Sequence, residues 1–504
     1  MNLKLMLEEA AGRYGKKTAI VQGDRRLSYT ELDEASNKVA NTLIRMGINK
    51  GDRVAMLLPN SPEFAIIYFG IVKAGIIAVP LDIKYKVNEL ASLFDNCQPK
   101  VMVAESPTLE KLAPDLPKFK SIKHIIDLGP KYEGQFLGYR EIMATGSSDR
   151  VEVALEPEDI AQISYTGGPT NRPQGAMLYH QGLVAEAAMS ADGFQQTDND
   201  ISMLFALPMF HVFGLVGVLL TSIYKGSTVV MVPGTGLSIG IFMSTIEREK
   251  GTMFLGVPYI FALAAEMAEK EGVKNDLSSL RLCGSAGAPL SINTIRRFKQ
   301  YYGFDLIDFW GLTEADCHVT CQPIDGTGKL GSVGKTLSGW EVKIVDDNGM
   351  ELPPNQPGEI IVGGPIMKGY CNNPQATTKA IKDGWLYTGD IGRLDEDGYL
   401  FIVGRKKETI IMKGQNIYPG DIEDVLYTYP KVAEAAVVGI PDELRGEVVR
   451  AVISLKKGEA TTEEEVKRFC RKHMADYKVP KQVIFMDSLP KTATGKIRKE
   501  ALRD

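Results

Sequence analysis

The sequence lacks the long apolar runs that a membrane-spanning helix needs. Its longest apolar stretch, residues 212–223, is too short to cross a bilayer. The first residues, MNLKLMLEEAAGRYGKK, show neither the basic and apolar segments nor the small-residue cleavage site of a secretory signal. We therefore expect a cytoplasmic protein.

Cysteine is scarce and has no regular spacing. The six cysteines lie at positions 97, 283, 317, 321, 371 and 470 and are expected to be free thiols in a reducing compartment. Cys317, His318 and Cys321 form a short cluster, CHVTC, but no second Cys/His pair follows at zinc-ligand spacing. The pattern favours ordinary packing over a metal site.

The chain also lacks a strong excess of one charge. Its formal net charge is -5, and residues 405–504, with 20 Lys+Arg against 16 Asp+Glu, carry a mild positive excess. Nucleic-acid-binding domains concentrate basic residues far more strongly, so no nucleic-acid partner is expected. The excess suits a small polyanionic ligand.

What is present is the composition of an ordinary globular protein, with 44% hydrophobic and 24% charged residues. A chain of 504 residues exceeds one hydrophobic core, which predicts several domains. Nothing in the sequence decides between a monomer and a homodimer.

The order of apolar runs predicts an α/β fold with layered, largely parallel sheets. Strands are expected within residues 53–59, 76–82, 100–106, 227–233 and 252–258, and helices within residues 28–47 and 291–303. Ser28 and Glu31 have the spacing of a capping box.

The pattern changes after about residue 339. Short alternating runs separated by DNG and EDG turns predict a small antiparallel β unit. A compact α+β tail follows. We place the boundary near Arg405, which gives a large domain of residues 1–404 and a small one of residues 405–504.

The segment YTGGPTNRPQG, residues 165–175, follows a strand pattern and precedes a helix pattern. Such a glycine-rich turn can direct backbone N–H groups at phosphate oxygens. It is not a Walker loop, because no G-K-[ST] follows at the required spacing. A plain surface loop stays open on this segment alone.

The segment resembles the Y-T-S-G-T-T-G-x-P-K-G loop of the superfamily of AMP-forming acyl-CoA synthetases, nonribosomal-peptide adenylation domains and luciferases. Further motifs match in order and spacing over almost the whole chain. They are LPMFHVFGL (207–215), CGSAGAPL (283–290), DFWGLTEA (308–315), YTGDIGRLDEDGYLFIVGRKKETIIMKGQNIYP (387–419) and LPKTATGKIRKEAL (489–502).

The resemblance implies a two-step reaction with ATP, Mg²⁺ and coenzyme A. A carboxylate attacks the α-phosphorus of ATP, releasing pyrophosphate and forming an acyl-adenylate. A thiol, usually that of CoA, then attacks the acyl carbon and releases AMP. The protein in such a reaction mainly positions groups and stabilises charge.

The resemblance also implies a role for individual residues. Lys496 matches the mobile lysine that bridges carboxylate and α-phosphate oxygens, Glu314 the Mg²⁺ ligand, Thr313 a residue near the phosphate, and His211 the gating residue beside the acyl tunnel. Trp310 matches the aromatic that stacks on adenine. The remaining nucleotide-binding candidates are Thr166, Gly167, Gly168, Thr170 and Gln174 in the loop, Gly284, Ser285, Ala286 and Gly287 in the second motif, and Asp308, Phe309 and Gly311 in the third.

The C-terminal motifs imply further site residues. Asp390 matches the aspartate that binds ribose, Arg405 the arginine that contacts ribose or phosphate, and Lys407 the hinge about which the small domain rotates. Gly414 and Gln415 lie in the segment that lines the CoA tunnel. The alternative, non-functional interpretation of these positions is that they are exposed turn residues and solvated charged side chains.

The acyl group is expected to be apolar and of medium size: aryl, alicyclic or medium-chain fatty. Acetate-specific members carry W-W-Q-T-E where this chain has Trp310 to Glu314, and Gly311 in place of the second Trp is expected to leave room. Phe210, Val212 and Phe213 supply apolar neighbours.

The loop departs from the family pattern at Gly167, Pro169, Asn171 and Gln174, which removes two hydroxyls, one N–H and one cation. Three interpretations follow: an ordinary ligase, a ligase working in reverse to make ATP from acyl-CoA, AMP and pyrophosphate, or a non-catalytic acyl-CoA or nucleotide sensor. Retention of Glu314 and Lys496 favours the enzyme. A carrier-protein thiol is an alternative acceptor, although no carrier segment follows Asp504.

Overall fold

The described strands form four β-sheets. The computed structural model describes residues 1–129, 136–166, 173–232, 238–412, 415–442, 446–492 and 496–503. In chain order the strands are β1 (Thr18–Gln22), β2 (Arg25–Ser28), β3 (Arg53–Leu57), β4 (Ile77–Pro80), β5 (Val101–Ala104), β6 (His124–Asp127), β7 (Leu137–Gly138), β8 (Ile160–Thr166), β9 (Gln174–Tyr179), β10 (Ile201–Leu204), β11 (Thr228–Met231), β12 (Met253–Gly256), β13 (Leu282–Ser285), β14 (Leu306–Trp310), β15 (Thr320–Cys321), β16 (Lys335–Thr336), β17 (Glu341–Val345), β18 (Gly358–Gly363), β19 (Ile381–Lys382), β20 (Trp385–Leu394), β21 (Leu400–Arg405), β22 (Ile410–Met412), β23 (Gln415–Ile417), β24 (Val432–Asp442), β25 (Gly446–Leu455) and β26 (Gln482–Phe485).

Helices cover the sheets and join their strands. They are α1 (Leu3–Tyr14), α2 (Tyr29–Arg45), α3 (Pro62–Lys73), α4 (Val87–Cys97), α5 (Ser106–Leu112), α6 (Tyr139–Thr145), α7 (His180–Gly193), α8 (Val212–Gly214), α9 (Thr221–Lys225), α10 (Ile239–Glu249), α11 (Pro258–Glu271), α12 (Ile292–Tyr302), α13 (Pro374–Ala380), α14 (Pro419–Tyr427) and α15 (Glu463–His473). Among the residues described, none of these helices is long and apolar enough to span a bilayer.

Two large sheets are mostly parallel, as the buried apolar runs predict. One has the order β7-β6-β5-β3-β4-β8-β9 and is parallel except for the β8–β9 pair. The other has the order β16-β15-β14-β13-β12-β10-β11-β1-β2 and is parallel from β14 to β1. Strands buried on both faces explain why the sequence shows continuous apolar runs here rather than alternation.

The two predicted helices form for the expected local reasons. Ser28 Oγ accepts from the Glu31 N–H at 3.2 Å, and the Glu31 carboxylate accepts from the Ser28 N–H at 2.8 Å, so the capping box of α2 is confirmed. Ser291 caps α12 in a similar way.

Two smaller sheets complete the α/β fold predicted from the sequence. The antiparallel unit has the order β17-β18-β20-β19, with β21 pairing β20, and the DNG and EDG turns fall between antiparallel strands as predicted. The last sheet has the order β23-β22-β25-β24, with β26 parallel to β25. One core cluster draws its buried residues only from positions between Ile410 and Leu502. The boundary near Arg405 itself stays a prediction.

Candidate active site

Two neighbouring parallel strands end at the site. In β13 and β14, Ser285 lies in register with Asp308, so the segments 284–287 and 308–311 meet at the carboxyl ends of the strands. Ser285 Oγ is buried and has no hydrogen-bond partner among the described residues. Gly287 has φ +84°, which a glycine adopts without strain. An orphaned hydroxyl beside an open glycine fits a bound nucleotide.

Asp390 contacts both Trp310, the predicted adenine-binding residue, and Arg405, the other residue predicted to contact ribose. It pairs with Arg405 across β20 and β21, and its Oδ1 lies 2.9 Å from Arg405 Nε. The other oxygen, Oδ2, accepts from Trp310 Nε1 at 3.1 Å. Burial raises the pKa of Asp390, and the Arg405 guanidinium opposes that rise. The three residues therefore form one connected group.

Glu314 and Thr313 lie in the short turn that follows β14, as the motif predicts. Glu314 Oε1 accepts from the Tyr370 hydroxyl at 2.8 Å, and its backbone oxygen accepts from the Met367 N–H at 2.9 Å. These contacts hold the carboxylate in place. A fixed carboxylate is the donor that Mg²⁺ prefers, so Glu314 fits the predicted ligand.

Lys496 reaches this group from the C-terminal part of the chain. Burial lowers the pKa of Lys496, Arg405 adds to the lowering, and the carboxylates of Asp390 and Glu314 oppose it. These three effects place the ammonium within the range of charge–charge interaction with Arg405, Asp390 and Glu314. The structure thus brings Lys496, Glu314, Asp390 and Arg405 together.

His211 faces the same region. Its Nδ1 accepts from the Phe213 N–H at 3.2 Å, and burial, together with the charge of Lys496, lowers the pKa of His211 to about 3. The imidazole is therefore neutral at physiological pH. Its role as a gate stays a prediction.

The predicted phosphate loop is only partly described. Gly167, Gly168 and Thr170, like Pro169 and Asn171, lie outside the described residues, whereas Thr166 and Gln174 are paired across β8 and β9. Gln174 Oε1 accepts from Asn373 Nδ2 at 2.8 Å. Gln174 therefore has a partner at the start of α13 that the sequence did not indicate.

Of the predicted hinge and CoA-tunnel residues, Lys407 is the one whose side chain the structure describes. Lys407 Nζ is 3.8 Å from Glu500 Oε1, an ion pair within the C-terminal part. Gly414 lies outside the described residues, and Gln415 is described only through its backbone in β23. The roles of all three stay predictions.

The structure corrects the expectation that Gly311 leaves room for an acyl group. A Cβ at position 311 would lie 1.7 Å from the backbone oxygen of Cys317 and 2.7 Å from His318 Cα. Gly311 is needed for a close approach of two backbone segments. Phe213 is likewise committed to packing, with its ring edge-on to Phe309 at 5.7 Å and to His318 at 5.5 Å.

The CHVTC cluster lies in the core, where Cys317 and His318 meet Glu186 of α7. The carboxylate of Glu186 accepts from Ser190 Oγ at 2.7 Å, from the His318 N–H at 2.7 Å and from Trp340 Nε1 at 3.1 Å. Because these bonds occupy the carboxylate, ordinary packing explains the cluster.

The functional contacts that sequence reasoning missed are long-range. Tyr370 is 56 positions from Glu314, and Asn373 is 199 positions from Gln174. Neither residue belongs to a periodic pattern or to one of the quoted motifs. Their turn, KGYCNNP, offered only loop composition as a signal.

The sequence model of the AMP-binding enzyme family matches residues 7–371, and that of the AMP-binding enzyme C-terminal domain matches residues 421–496. Among curated relatives, the long-chain-fatty-acid–CoA ligase of Bacillus subtilis (strain 168) is 34% identical, with 99% of this chain and 94% of the relative covered.

Solved structures agree with this relationship. ATP-bound MatB from Rhodopseudomonas palustris has a TM-score of 0.90 at 31% identity, covering 100% of this chain and 98% of that one. The anthranilate CoA ligase AuaEII in complex with anthranoyl-AMP has a TM-score of 0.92 at 30% identity, covering 100% and 96%. The chain therefore belongs to the AMP-binding enzyme family, in the adenylate-forming acyl-CoA synthetase superfamily, and is an AMP-forming carboxylate–CoA ligase that uses ATP, Mg²⁺ and CoA.

Proposed function

We propose that this ligase activates an apolar monocarboxylic acid of medium size, aryl, alicyclic or medium-chain fatty, and transfers it to free CoA. The observation that carries the proposal is the convergence of Lys496, Glu314, Asp390 and Arg405, next to an apolar wall. That wall is the ring of Phe213, whose Cδ1 lies 4.0 Å from the position that a Cβ on Gly287 would take, and which packs edge-on against Phe309. Among the relatives, the names of the fatty-acid and anthranilate CoA ligases agree with an apolar acid, whereas that of an oxalate–CoA ligase does not.

The neutral imidazole of His211 supports the choice of a monocarboxylate. Because the pKa of His211 is lowered to about 3, the ring offers no positive charge to a second carboxylate. The cation that acts on His211 is Lys496, which this proposal assigns to the reacting carboxylate, so a second carboxylate would be left buried and unpaired, and that is costly.

In the first half-reaction, Lys496 places its ammonium between the acid carboxylate and the α-phosphate and stabilises the charge that develops there. Asp390 and Arg405 orient the ribose, and Trp310 supports the adenine. Glu314 holds the Mg²⁺, which neutralises phosphate charge when bound. In the second half-reaction, the thiol of CoA attacks the acyl carbon and AMP leaves.

A panel of acids tests this proposal in both directions. The purified chain is assayed for AMP and acyl-CoA formation with acetate, malonate, octanoate, cyclohexanecarboxylate and benzoate, beside ATP formation from acyl-CoA, AMP and pyrophosphate. We expect the highest kcat/KM with octanoate, cyclohexanecarboxylate or benzoate. A preference for acetate or malonate contradicts the apolar pocket, and turnover only with a carrier-bound thiol contradicts free CoA as acceptor.

Gln174 tests whether the β8–β9 loop binds the β- and γ-phosphates. Gln174→Lys restores the family's cation and is expected to lower the KM for ATP or pyrophosphate, because a hydrogen bond to a charged partner contributes about 1.5–3 kcal/mol. Gln174→Met, which loses the bond to Asn373 without adding charge, is the control. An unchanged KM in Gln174→Lys shows that this side chain does not face the phosphates.

A further inference from the structure

The ammonium of Lys491 contacts an aromatic ring in the large N-terminal part of the chain. Its Nζ lies 4.2 Å from the centroid of the Tyr259 ring, at the start of α11. The same ammonium forms an ion pair with Glu434 in β24. Lys491 is therefore held on one side by the C-terminal sheet and on the other by α11.

Lys491 is also paired, through its backbone, with the described residues next to Lys496. It forms a β-bridge with Ile497, the Thr492 N–H donates to the Lys496 oxygen at 2.7 Å, and the Lys496 N–H donates to Thr492 Oγ1 at 3.1 Å. A shift of Lys491 thus moves the backbone of Lys496. The contact with Tyr259 is placed to fix the position of both lysines.

Other ion pairs between the two parts of the chain are placed differently. Arg405 pairs with Asp390, and Lys406 pairs with Glu359 at 2.9 Å. Both basic residues precede the predicted hinge at Lys407, so a rotation of the chain beyond that hinge leaves their ion pairs in place. The Lys491–Tyr259 contact lies beyond the hinge and breaks in such a rotation.

We propose that Tyr259 and Lys491 are positioning residues, whose cation–π contact holds Lys496 in the site during acyl-adenylate formation and is released before thioester formation. The inference rests on the proposed role of Lys496. The contact favours acyl-adenylate formation, because a contact present in only one arrangement of the chain shifts the population toward that arrangement.

The two half-reactions are measured separately. Acyl-adenylate formation is followed as carboxylate-dependent exchange of pyrophosphate into ATP with octanoate or benzoate, and thioester formation as acyl-CoA made from CoA and added octanoyl-AMP or benzoyl-AMP. Tyr259→Leu and Lys491→Met are expected to slow the exchange about 3- to 30-fold, the range that a cation–π contact supplies. Thioester formation stays at the wild-type rate or rises.

Conservative variants separate positioning from packing. Tyr259→Phe and Lys491→Arg keep the ring and the cation and should exchange at close to the wild-type rate. The double variant Tyr259→Leu/Lys491→Met should be no slower than the slower single variant, because both changes remove the same contact. Unchanged thermal unfolding of each variant shows that the fold is intact.

Three results overturn the inference: wild-type exchange in Tyr259→Leu, equal slowing of both half-reactions, or additive losses in the double variant. Lys496→Ala distinguishes this failure from failure of the proposed function. If Lys496→Ala abolishes exchange while Tyr259→Leu leaves it unchanged, only the positioning role is wrong; if Lys496→Ala exchanges normally, the proposed role of Lys496 is wrong.

A measurement without substrate turnover tests the contact itself. In the variant Tyr259→Cys/Lys491→Cys, a short bis-maleimide should cross-link the two introduced thiols, detected as a linked peptide by mass spectrometry. The six native cysteines are buried, which limits competing reaction. Failure of the linked peptide to form, with or without ATP, contradicts the contact.

Discussion

Glu186 ties together three segments that the sequence leaves unconnected. It is fully buried, and its carboxylate accepts bonds from the hydroxyl of Ser190, the backbone N–H of His318 and the indole of Trp340. Burial raises the pKa of Glu186 to about 8, and the three donors oppose that rise. The turn Thr313–Ala315, which carries Glu314, precedes His318 by a few residues. The hydrogen bond that Glu186 accepts from the His318 N–H therefore helps to hold this turn in place.

Removing this carboxylate should destabilise the fold. Glu186→Ala leaves the His318 N–H and the Trp340 indole buried without an acceptor, and each such group costs about 1–3 kcal/mol, whereas Ser190 Oγ keeps His318 Nδ1 at 2.8 Å. We expect the free energy of unfolding, measured with urea, to fall by about 3 kcal/mol or more. Glu34→Ala, at an exposed position of α2, is the control and should stay within about 0.5 kcal/mol of wild type. A loss below 1 kcal/mol for Glu186→Ala contradicts this account.

His318 makes stability depend on pH at the same place. Burial lowers its pKa to about 3, whereas an unfolded histidine titrates near 6.5. The folded state therefore loses stability as pH falls from 6.5, by about 1.4 kcal/mol per pH unit, because only the unfolded chain binds the proton. His318→Gln lacks this loss, so its stability deficit relative to wild type should shrink by about 2–3 kcal/mol between pH 7 and 4.5 in urea unfolding. A constant deficit would show that His318 binds a proton as readily in the folded state as in the unfolded chain.

At the scale of elements, the turn after β14 depends on a backbone contact. Gly311 lies against the backbone of Cys317, where a Cβ would be 1.7 Å from the carbonyl oxygen. Gly311→Ala should lower the free energy of unfolding by at least about 2 kcal/mol and reduce activity, because the turn that carries Glu314 must move. Gly240→Ala, in open space in α10, should leave stability unchanged or raise it by up to about 1 kcal/mol. If Gly311→Ala is as stable as the wild type, position 311 has room for a side chain and the prediction is wrong.

These elements also show how far the sequence could predict the structure. Strands β3, β5 and β12 and the capped start of α2 follow from apolar runs and from hydrogen bonds three residues apart, which are local signals. The space at Gly311 is filled because the backbone turns back at Cys317, and no residue type in the sequence signals that turn. Gly311 was therefore interpreted by analogy, and the analogy was wrong about the space.

At the scale of the whole molecule, the motifs indicated the candidate site residues but not the residues that contact them. Glu314, Asp390, Arg405 and Lys496 were predicted from three separate motifs, one of which holds both Asp390 and Arg405, and the structure brings them together. Tyr370, Glu186 and Tyr259 were not predicted, because each acts through a contact with a distant part of the chain. Contacts between residues so far apart in the chain follow from the topology of the fold, which a single sequence does not show.

The central claim is that Lys496 of the C-terminal part acts in acyl-adenylate formation. The direct measurement is carboxylate-dependent exchange of pyrophosphate into ATP by the wild type, Lys496→Ala and the exposed control Lys457→Ala, beside thioester formation from added acyl-adenylate. We predict that Lys496→Ala lowers exchange by about 100-fold or more, that it leaves thioester formation within about threefold of wild type, and that Lys457→Ala changes neither. Wild-type exchange by Lys496→Ala, or an equal loss of both half-reactions, would contradict the account.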